Sequence, residues 1–567
     1  MNFEPSRIAA AALIVMLAAC AVPLQPDRTA RAPELPGFGS LQWAVTTSVP
    51  EAQRLFTQGV LQAYAFNEVE AVRMFKAALA QDPSCAMCAW GVAWQLGPNI
   101  NDTSRAQVNE ALRYLDHALR HAASANAHER ALIDALALRY GHASQARETA
   151  PLTAERCGPG ATSEDDNEPA HPLDLAYAER LRQLADAAPA DPDLLSLYAE
   201  AEMVATRIDW WNEKTGQPGG RIGEVTTRLE QSLLRHPEHV GLNHYMIHAA
   251  DGAPAARRAV LAADRLGRLA PASPHLVHMP SHIYVRVGRY ADATRVNEEA
   301  MAAELTLFDA QKTQGFSVSK DWRNHDQQFL WFAALMQGRG DVALAAARDL
   351  ASRTSGDRSY AEYRRSLTLL ALLRLERWDT LLAEPLASGN KGMAQALGEG
   401  ARGVALVRTH KMTEARAALM RADDGAAQVA KAHAKPKGFD KTLREMTVSA
   451  TERLRAEIAA AEGRYEDALK LQALAVQASK EADSNEPPML AAGALVALGE
   501  LQLRAGLHAQ AEKTFRDDLA AQPGSGWALS GLTRALKAQG RAAEAQPLAA
   551  QLALAWSAAD AALATRR

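Results

Sequence analysis

Two pairs of histidines with the same internal spacing lie 34 residues apart in this chain of 567 residues. His244 and His248 form the first pair, and His278 and His282 form the second. Side chains four residues apart share one face of a helix, so each pair can present two imidazoles to one metal ion. Four such nitrogens suit zinc or copper, and opposed imidazoles are also the ligands of some haems. We therefore expect one site built from both pairs.

Other polar residues fall on the same helix faces as the pairs. Asp251 follows the first pair, His275 precedes the second, and the next helix carries His325 and Gln328. Asp251 would be a metal ligand or an acceptor that fixes a histidine tautomer. The full set of candidate ligand-binding residues is His244, His248, Asp251, His275, His278, His282, His325 and Gln328.

Our leading interpretation is a polar groove whose histidines hydrogen-bond to one another, to a peptide or to water; a metalloprotein or metalloenzyme is its alternative. A zinc-protease base is missing, because no glutamate follows His244 or His278 as the H-E-x-x-H motif requires. The sequence therefore predicts no catalytic residue, and enzymatic activity stays open.

The helices that would carry these residues are indicated by a 34-residue recurrence. Near the C-terminus it consists of Leu498, Gly506 and Ala511, which return as Leu532, Gly540 and Ala545. Near the N-terminus, Gly59, Ala71, Phe75, Ala78 and Pro83 resemble the consensus of the tetratricopeptide repeat (TPR). The small residues let two helices approach, the aromatic residue fills the space between hairpins, and the proline ends the second helix. We predict an all-α fold, an α-solenoid of TPR-like helical hairpins.

The composition agrees with this fold class and excludes some partners. Alanine and leucine dominate, aromatic residues make up 6%, and the net charge is −4 with acidic and basic residues interspersed. Because no Lys/Arg-rich block appears, we expect no nucleic-acid partner. In TPR proteins the first helix of each hairpin lines a concave groove. The resemblance therefore implies that the histidines face this groove and bind a peptide or protein partner there.

The chain divides into six predicted segments. They are a signal peptide (1–19), a Pro-rich tether (20–40), N-terminal TPR-like hairpins (41–140), a polar loop (141–172), the histidine-bearing repeats (173–350) and the C-terminal TPR repeats (351–567). Two further loops, 212–222 and 305–322, are expected beside the histidine repeats because Gly, Pro, Thr and Ser interrupt the period there.

The first twenty residues read as a sorting signal. A short apolar stretch ends in Leu17-Ala18-Ala19-Cys20, which resembles the lipobox of bacterial lipoproteins. The resemblance implies cleavage before Cys20 and lipidation of its thiol. Ala21 stands where an aspartate would retain the protein in the inner membrane, so we expect a lipid-anchored protein of the outer membrane that faces the periplasm. An ordinary secretory signal is the alternative.

The remaining cysteines are Cys85 and Cys88, which form a C-x-x-C motif, and Cys157 in a polar loop. We expect a disulfide between Cys85 and Cys88, although a redox-active pair, a metal site and simple packing of two small residues are alternatives. No histidine follows Cys88, so the motif does not attach a c-type haem.

The runs CAMCAWGVAWQLGPNIN, NHYMIHAAD and HLVHMPSHIYVRVGRY resemble a group of bacterial secreted TPR proteins. The resemblance covers most of residues 45–345 and implies no particular activity. It implies histidine at two positions where this chain has Glu68 and Gln328.

Overall fold

The computed structural model describes residues 24–564 apart from 142–169, 208–209, 213–214, 253–254, 319–321, 357, 387–390, 437, 484 and 492. Cys20, Cys157, the signal peptide and most of the predicted polar loop lie outside the described residues. None of the helices in the described part of the chain is long and apolar enough to cross a membrane.

Twenty-six α-helices account for nearly all regular structure in the described residues, beside two short 3₁₀ turns and one isolated β-bridge. In chain order, α1 to α26 are Pro50–Tyr64, Glu68–Gln81, Ala86–Gln95, Val108–His121, Ala127–Tyr140, Pro172–Ala187, Pro192–Thr206, Ile222–Arg235, Val240–Ala250, Val260–Leu269, Pro274–His278, Pro280–Val287, Tyr290–Thr313, Arg323–Gln337, Gly340–Arg353, Ser359–Arg374, Trp378–Ala383, Gly392–Arg408, Met412–Ala432, Phe439–Ala461, Tyr465–Asp483, Gly493–Arg504, His508–Ala521, Gly526–Ala538, Ala542–Ala555 and Ala561–Ala564.

Consecutive helices pack as hairpins, for the reasons that the consensus residues indicate. Phe75 of α2 lies between Gly59 of α1 and Gly91 of α3, so tightly that a Cβ atom on either glycine would lie 2.6 or 2.5 Å from its ring. Phe515 of α23 has the same relation to Gly499 and Gly531. The predicted all-α, TPR-like fold is therefore confirmed.

The solenoid turns back on itself, so that its last helices contact the histidine repeats. Trp527 of α24 donates its indole N–H to the backbone oxygen of Leu335 in α14 at 3.2 Å. Trp556, which follows α25, donates to Met336 of the same helix at 3.2 Å. The middle and the C-terminus of the chain thus form one packed body with the site described below.

The stretch predicted as a tether is packed from its first described residues onward. Leu35 and Phe38 are buried. The backbone oxygen of Gly37 accepts a hydrogen bond from the amide of Ala272 at 3.0 Å, and the Gln314 side chain bonds both backbone groups of Glu34. The Pro-rich composition was read as a free spacer, but apolar residues between the prolines anchor this segment to the solenoid.

Two boundaries near the histidines can be compared with prediction. The loop expected over 305–322 was placed too early, because α13 continues to Thr313; Thr306 and its neighbours form helix despite their polarity. Pro280 was expected to kink or shorten its helix, and the helix is indeed divided there into α11, ending at His278, and α12, beginning at Pro280.

Candidate metal centre

The six candidate histidines lie on three successive layers of the solenoid. Helix α9 carries His244 and His248, α11 and α12 carry His275, His278 and His282, and α14 carries His325. Five of them are less than a tenth exposed, and His282 keeps 11% of its side-chain exposure. A peptide in an open groove could not reach rings buried to this degree, so the predicted histidine-lined groove is not an open binding surface.

The first cluster, which we call triad 1, consists of His244, His248 and His275. The Nε2 atom of His244 lies 3.0 Å from Nε2 of His248 and 3.1 Å from Nε2 of His275. All three ligand nitrogens lie within 4.8 Å of one another. One imidazole pair on α9 and a third imidazole on α11 therefore converge on one point.

The second cluster, triad 2, consists of His278, His282 and His325. Nε2 of His282 lies 3.1 Å from Nε2 of His278 and 3.5 Å from Nε2 of His325. Here the pair lies at the junction of α11 and α12, and the third imidazole comes from α14. The arrangement repeats that of triad 1 one layer further along the solenoid.

The structure thus places His244 and His248 in one cluster and His278 and His282 in the other, whereas the spacing predicted one site from all four. Equivalent residues of successive repeats are displaced along the solenoid, so each pair faces its own gap between neighbouring helices. Each gap is completed by a histidine of the following layer, which is His275 for the first pair and His325 for the second. The two triads are nevertheless close, because His275 and His278 are only one helical turn apart.

Hydrogen bonds on the opposite ring nitrogens fix the tautomers that a metal needs. His244 donates from Nδ1 to the backbone oxygen of Tyr64 at 2.7 Å. His278 donates from Nδ1 to Oδ1 of Asn297 at 2.7 Å, while the Asn297 amide group donates to Ala293 and so sets which end faces the ring. Both bonds leave an Nε2 lone pair that points into the cluster, which is the arrangement of a histidine held for a metal ion.

His282 is oriented by two carboxylates. Its Nδ1 atom lies 3.1 Å from Oδ2 of Asp251 and 2.8 Å from Oε2 of Glu486, and Arg286 forms ion pairs with both acids. Burial alone would lower the pKa of His282, but the two carboxylates raise it to about 10. Such a carboxylate–histidine pair raises the basicity of a metal-ligating imidazole.

Burial shifts four of the other histidines toward the neutral form. Burial lowers the pKa of His244 and of His278 to about 3, helped in both cases by the charge on His282. Burial likewise holds the pKa of His248 and of His325 well below its usual value. Neutral imidazole is the form that binds a metal ion.

Aromatic rings enclose each triad. Phe66 stacks on His248 and His275, with ring centroids 5.3 and 5.2 Å apart, and Trp322 stacks on His275 at 4.4 Å. Around triad 2, the ring centroid of Phe329 lies 4.9, 4.5 and 5.0 Å from those of the three histidines. These apolar walls limit the movement of the imidazoles and keep bulk water from the nitrogens.

The donor set fits a first-row transition ion. Zinc–imidazole bonds of 2.0–2.1 Å in a tetrahedral site place ligand nitrogens roughly 3.3–3.4 Å apart. Four Nε2 separations run from 3.0 to 3.5 Å, and the third pair of ligand nitrogens in each triad lies within 4.8 Å. Haem does not fit either cluster, because imidazoles with centroids 4.7 and 5.0 Å apart and nitrogens in contact leave no slot for a macrocycle.

Asp251 and Gln328 are the two predicted site residues that are not histidines. Asp251 lies beside triad 2 as an acceptor, not beside triad 1, whose helix it follows. Gln328 is buried on α14 and accepts a hydrogen bond from the Tyr360 hydroxyl at 3.0 Å. Gln328 occupies the position on α14 that corresponds to His244 and His278, the first histidines of the two pairs. The α14 layer therefore has no third histidine pair.

Several residues of the centre were missed by sequence reasoning. Glu486 is 204 residues from His282, and Phe66, Asn297 and Phe329 have no spacing relation to the histidine pairs. Only Phe329 carries a signal that could have been used, because it lies four residues after His325 on the same helix face.

The C-x-x-C motif lies at the start of α3, away from the centre. The Sγ atoms of Cys85 and Cys88 are 2.07 Å apart, as in a disulfide bond, and Cys85 caps the helix by accepting from the Cys88 amide. Both residues are fully buried.

No protein-family model matches the chain, and no curated protein matches it in sequence. Among solved structures, human IFIT1, a dimer with m7Gppp-AAAA, aligns with a TM-score of 0.31 and 14% identity over 91% of this chain and 97% of that chain. Yeast Tom70 aligns with a TM-score of 0.26 and 13% identity over 91% and 96%. Cut9 in the APC/C Cut9–Hcn1 hetero-tetramer aligns with 0.28 and 14% over 86% and 76%. With these scores below 0.5, the fold assignment depends on the hairpin packing of the chain itself.

Proposed function

We propose that this protein is a metalloprotein that holds two transition-metal ions, copper or zinc, side by side inside a helical solenoid. The observation that carries the proposal is the convergence of two sets of three imidazole nitrogens, in which a central Nε2 atom lies 3.0–3.5 Å from its two neighbours. Facing nitrogens at this distance repel each other unless a proton or a cation lies between them. His244 and His278 hold a proton on Nδ1 and so offer Nε2 lone pairs to a cation, and an ion at triad 2 would displace the second proton of His282.

Three protein ligands leave a coordination position open at each ion. Open positions are typical of metal sites that bind water or a small substrate, whereas structural zinc sites are closed by four protein ligands. The all-imidazole set also predicts the order of affinity, because divalent copper binds nitrogen sites more tightly than zinc does.

The experiment is metal analysis of the full chain purified without a histidine tag. We expect two ions per chain, with one lost in His244→Asn, which disrupts triad 1, and one lost in His325→Asn, which disrupts triad 2. The exposed His128 on α5 provides the matched control, His128→Asn, which should keep both ions. Far-UV circular dichroism verifies that each variant is folded.

Two results would overturn the proposal. The first is folded wild-type protein that takes up neither copper nor zinc on reconstitution. The second is metal that remains at two ions per chain when both triads are disrupted.

We further propose that the protein is a lipoprotein of the outer membrane that faces the periplasm, anchored through Cys20. The lipobox-like run before Cys20 supports this location. Membrane fractionation and lipid labelling of a Cys20→Ser variant test it, and unchanged labelling would overturn it.

A peptide or protein partner is proposed for surfaces other than the histidines, since these are buried. The TPR-like fold supports this proposal, because solenoids present extended concave surfaces to partners. Cross-linking of the full chain in the periplasm, followed by identification of the captured protein, would test it; absence of any specific cross-link would overturn it.

A further inference from the structure

A second concave feature lies in the C-terminal repeats, in a region that the histidine triads do not reach. One helix from each of five consecutive hairpins, α16, α18, α20, α22 and α24, contributes an arginine to a single cavity of about 570 Å³. These arginines are Arg374, Arg408, Arg453, Arg504 and Arg534. Three glutamates also line the cavity, so its charge is positive. We call it the arginine pocket.

The acidic residues of the pocket form ion pairs with some of the arginines and not with others. Glu457 receives both guanidinium N–H groups of Arg504 at 3.0 Å and lies 3.7 Å from Arg408. Arg534 pairs with Glu500. The positive charges at the wide side of the pocket are therefore matched within the protein.

Arg374 and Arg453 have no such match. The structure gives neither side chain a hydrogen bond or an ion pair with a described residue, and Nε of both, with Nη2 of Arg374, is shielded from solvent without a partner. Arg374 is 8% exposed, its guanidinium carbon lies 4.7 Å from the centroid of the Trp527 ring, and Asp518 attracts its charge without forming an ion pair with it. Burial lowers the pKa of both groups, that of Arg374 to about 10.

Helix dipoles do not account for this pair. A cation near a helix C-terminus is favoured, and Arg374 ends α16. Arg453, however, lies in the middle of α20, which runs from Phe439 to Ala461. A buried guanidinium without an acceptor costs free energy that a bound anion would recover through paired N–H donors.

The arginine pocket itself has room for an organic group beside the two guanidinium groups. Its lining includes the apolar side chains of Leu373, Val404 and Val496 together with the Trp378 ring. An inorganic anion would leave this apolar wall uncovered, whereas an aryl or alkyl group attached to the anion would bury apolar surface against it.

We propose that the arginine pocket binds a small organic anion, a carboxylate or a phosphate monoester that carries an aromatic or aliphatic group, through Arg374 and Arg453. The anionic head lies between the two guanidinium groups, which both approach Gly493, and the apolar group lies against the apolar wall of the pocket. The site is independent of metal binding at the triads.

The test is calorimetric titration of the full chain with benzoate, phenyl phosphate and inorganic phosphate. We expect saturable one-to-one binding of benzoate or phenyl phosphate, and the tighter of the two identifies the head group. Arg374→Gln and Arg453→Gln should each weaken binding about tenfold or more, because each removes a charge-assisted donor pair. Removing a buried unpaired charge should not unfold the protein.

Arg416→Gln is the matched control, since Arg416 is exposed on α19 and pairs with Glu462 outside the pocket. It should leave the affinity unchanged. Absence of binding by both organic probes overturns the proposal, and so does equal binding of inorganic phosphate, which would show that the apolar wall plays no part. Equal weakening by all three variants would indicate nonspecific charge attraction and would also overturn it.

Discussion

Replacing Glu486 by glutamine should weaken metal binding at triad 2 and leave triad 1 unaffected. Glu486 accepts from Nδ1 of His282 at 2.8 Å, whereas no residue of triad 1 contacts it in the described part of the chain. Glutamine keeps the size and one acceptor oxygen but removes the negative charge that makes His282 a stronger base. Loss of such an outer partner typically lowers metal affinity 10- to 100-fold, which is about 1.4–2.7 kcal/mol.

The assay is competition with a chelator of known affinity in two backgrounds. His325→Asn leaves only triad 1 able to bind, and His244→Asn leaves only triad 2. Glu486→Gln should shift the titration in the second background and change it less than about twofold in the first. Glu384→Gln is the control, because Glu384 also pairs with an arginine, Arg348, but far from the centre. Equal loss in both backgrounds, or none in the triad 2 background, would refute the reasoning.

Two further predictions concern the scaffold. Burial raises the pKa of Glu200 to about 7, so the stability that this carboxyl contributes is complete below about pH 4.5 and is lost as the pH rises through 7. In urea unfolding, the free energy of unfolding of Glu200→Gln should therefore rise relative to that of the wild type by up to about 3 kcal/mol between pH 4.5 and pH 8. A difference that does not change with pH would contradict this. Gly531→Ala should destabilise the C-terminal hairpins by about 1–3 kcal/mol, because the added Cβ atom would lie 2.3 Å from Phe515. Gly463→Ala is the comparison in the same assay. Its Cβ atom would meet no other atom within 4 Å, but the residue has a positive φ, so this variant measures backbone strain without crowding.

The fold was readable from the sequence because each hairpin is specified locally. Small residues and one aromatic residue recur at fixed offsets, and the contacts they make, such as Phe75 between Gly59 and Gly91, are between neighbouring helices. A repeat protein contains few contacts that this local information does not determine.

The sequence also predicted which histidines lie close together, but not how they are grouped. The spacing of His244 and His248 shows that both lie on one face of a helix. Which residues of the next helix meet that face depends on how far the neighbouring repeat is shifted along the solenoid. His275 completes the first cluster because it lies one turn before His278 and faces back toward α9. A displacement of this kind is a property of packing, with no signature in the spacing of residues.

Glu486 and the docked N-terminal segment could not be predicted for a different reason. Glu486 is brought to His282 by the return of the solenoid after about two hundred further residues, and Gly37 meets Ala272 in the same way. Such contacts depend on the accumulated curvature of many hairpins. Each hairpin changes the direction of the chain slightly, and the total change over many hairpins cannot be predicted from any single motif.

The contact between Glu486 and the histidine repeats has a consequence for the order in which the protein matures. During export of the proposed lipoprotein, a chain that has emerged as far as α14 contains all six histidines, but the carboxylate that orients His282 is still about 150 residues away. At that stage triad 1 has its three histidines and the Tyr64 carbonyl, whereas His282 has only one of its two acids. Triad 2 would therefore reach its full metal affinity only when the C-terminal hairpins have folded back onto α14.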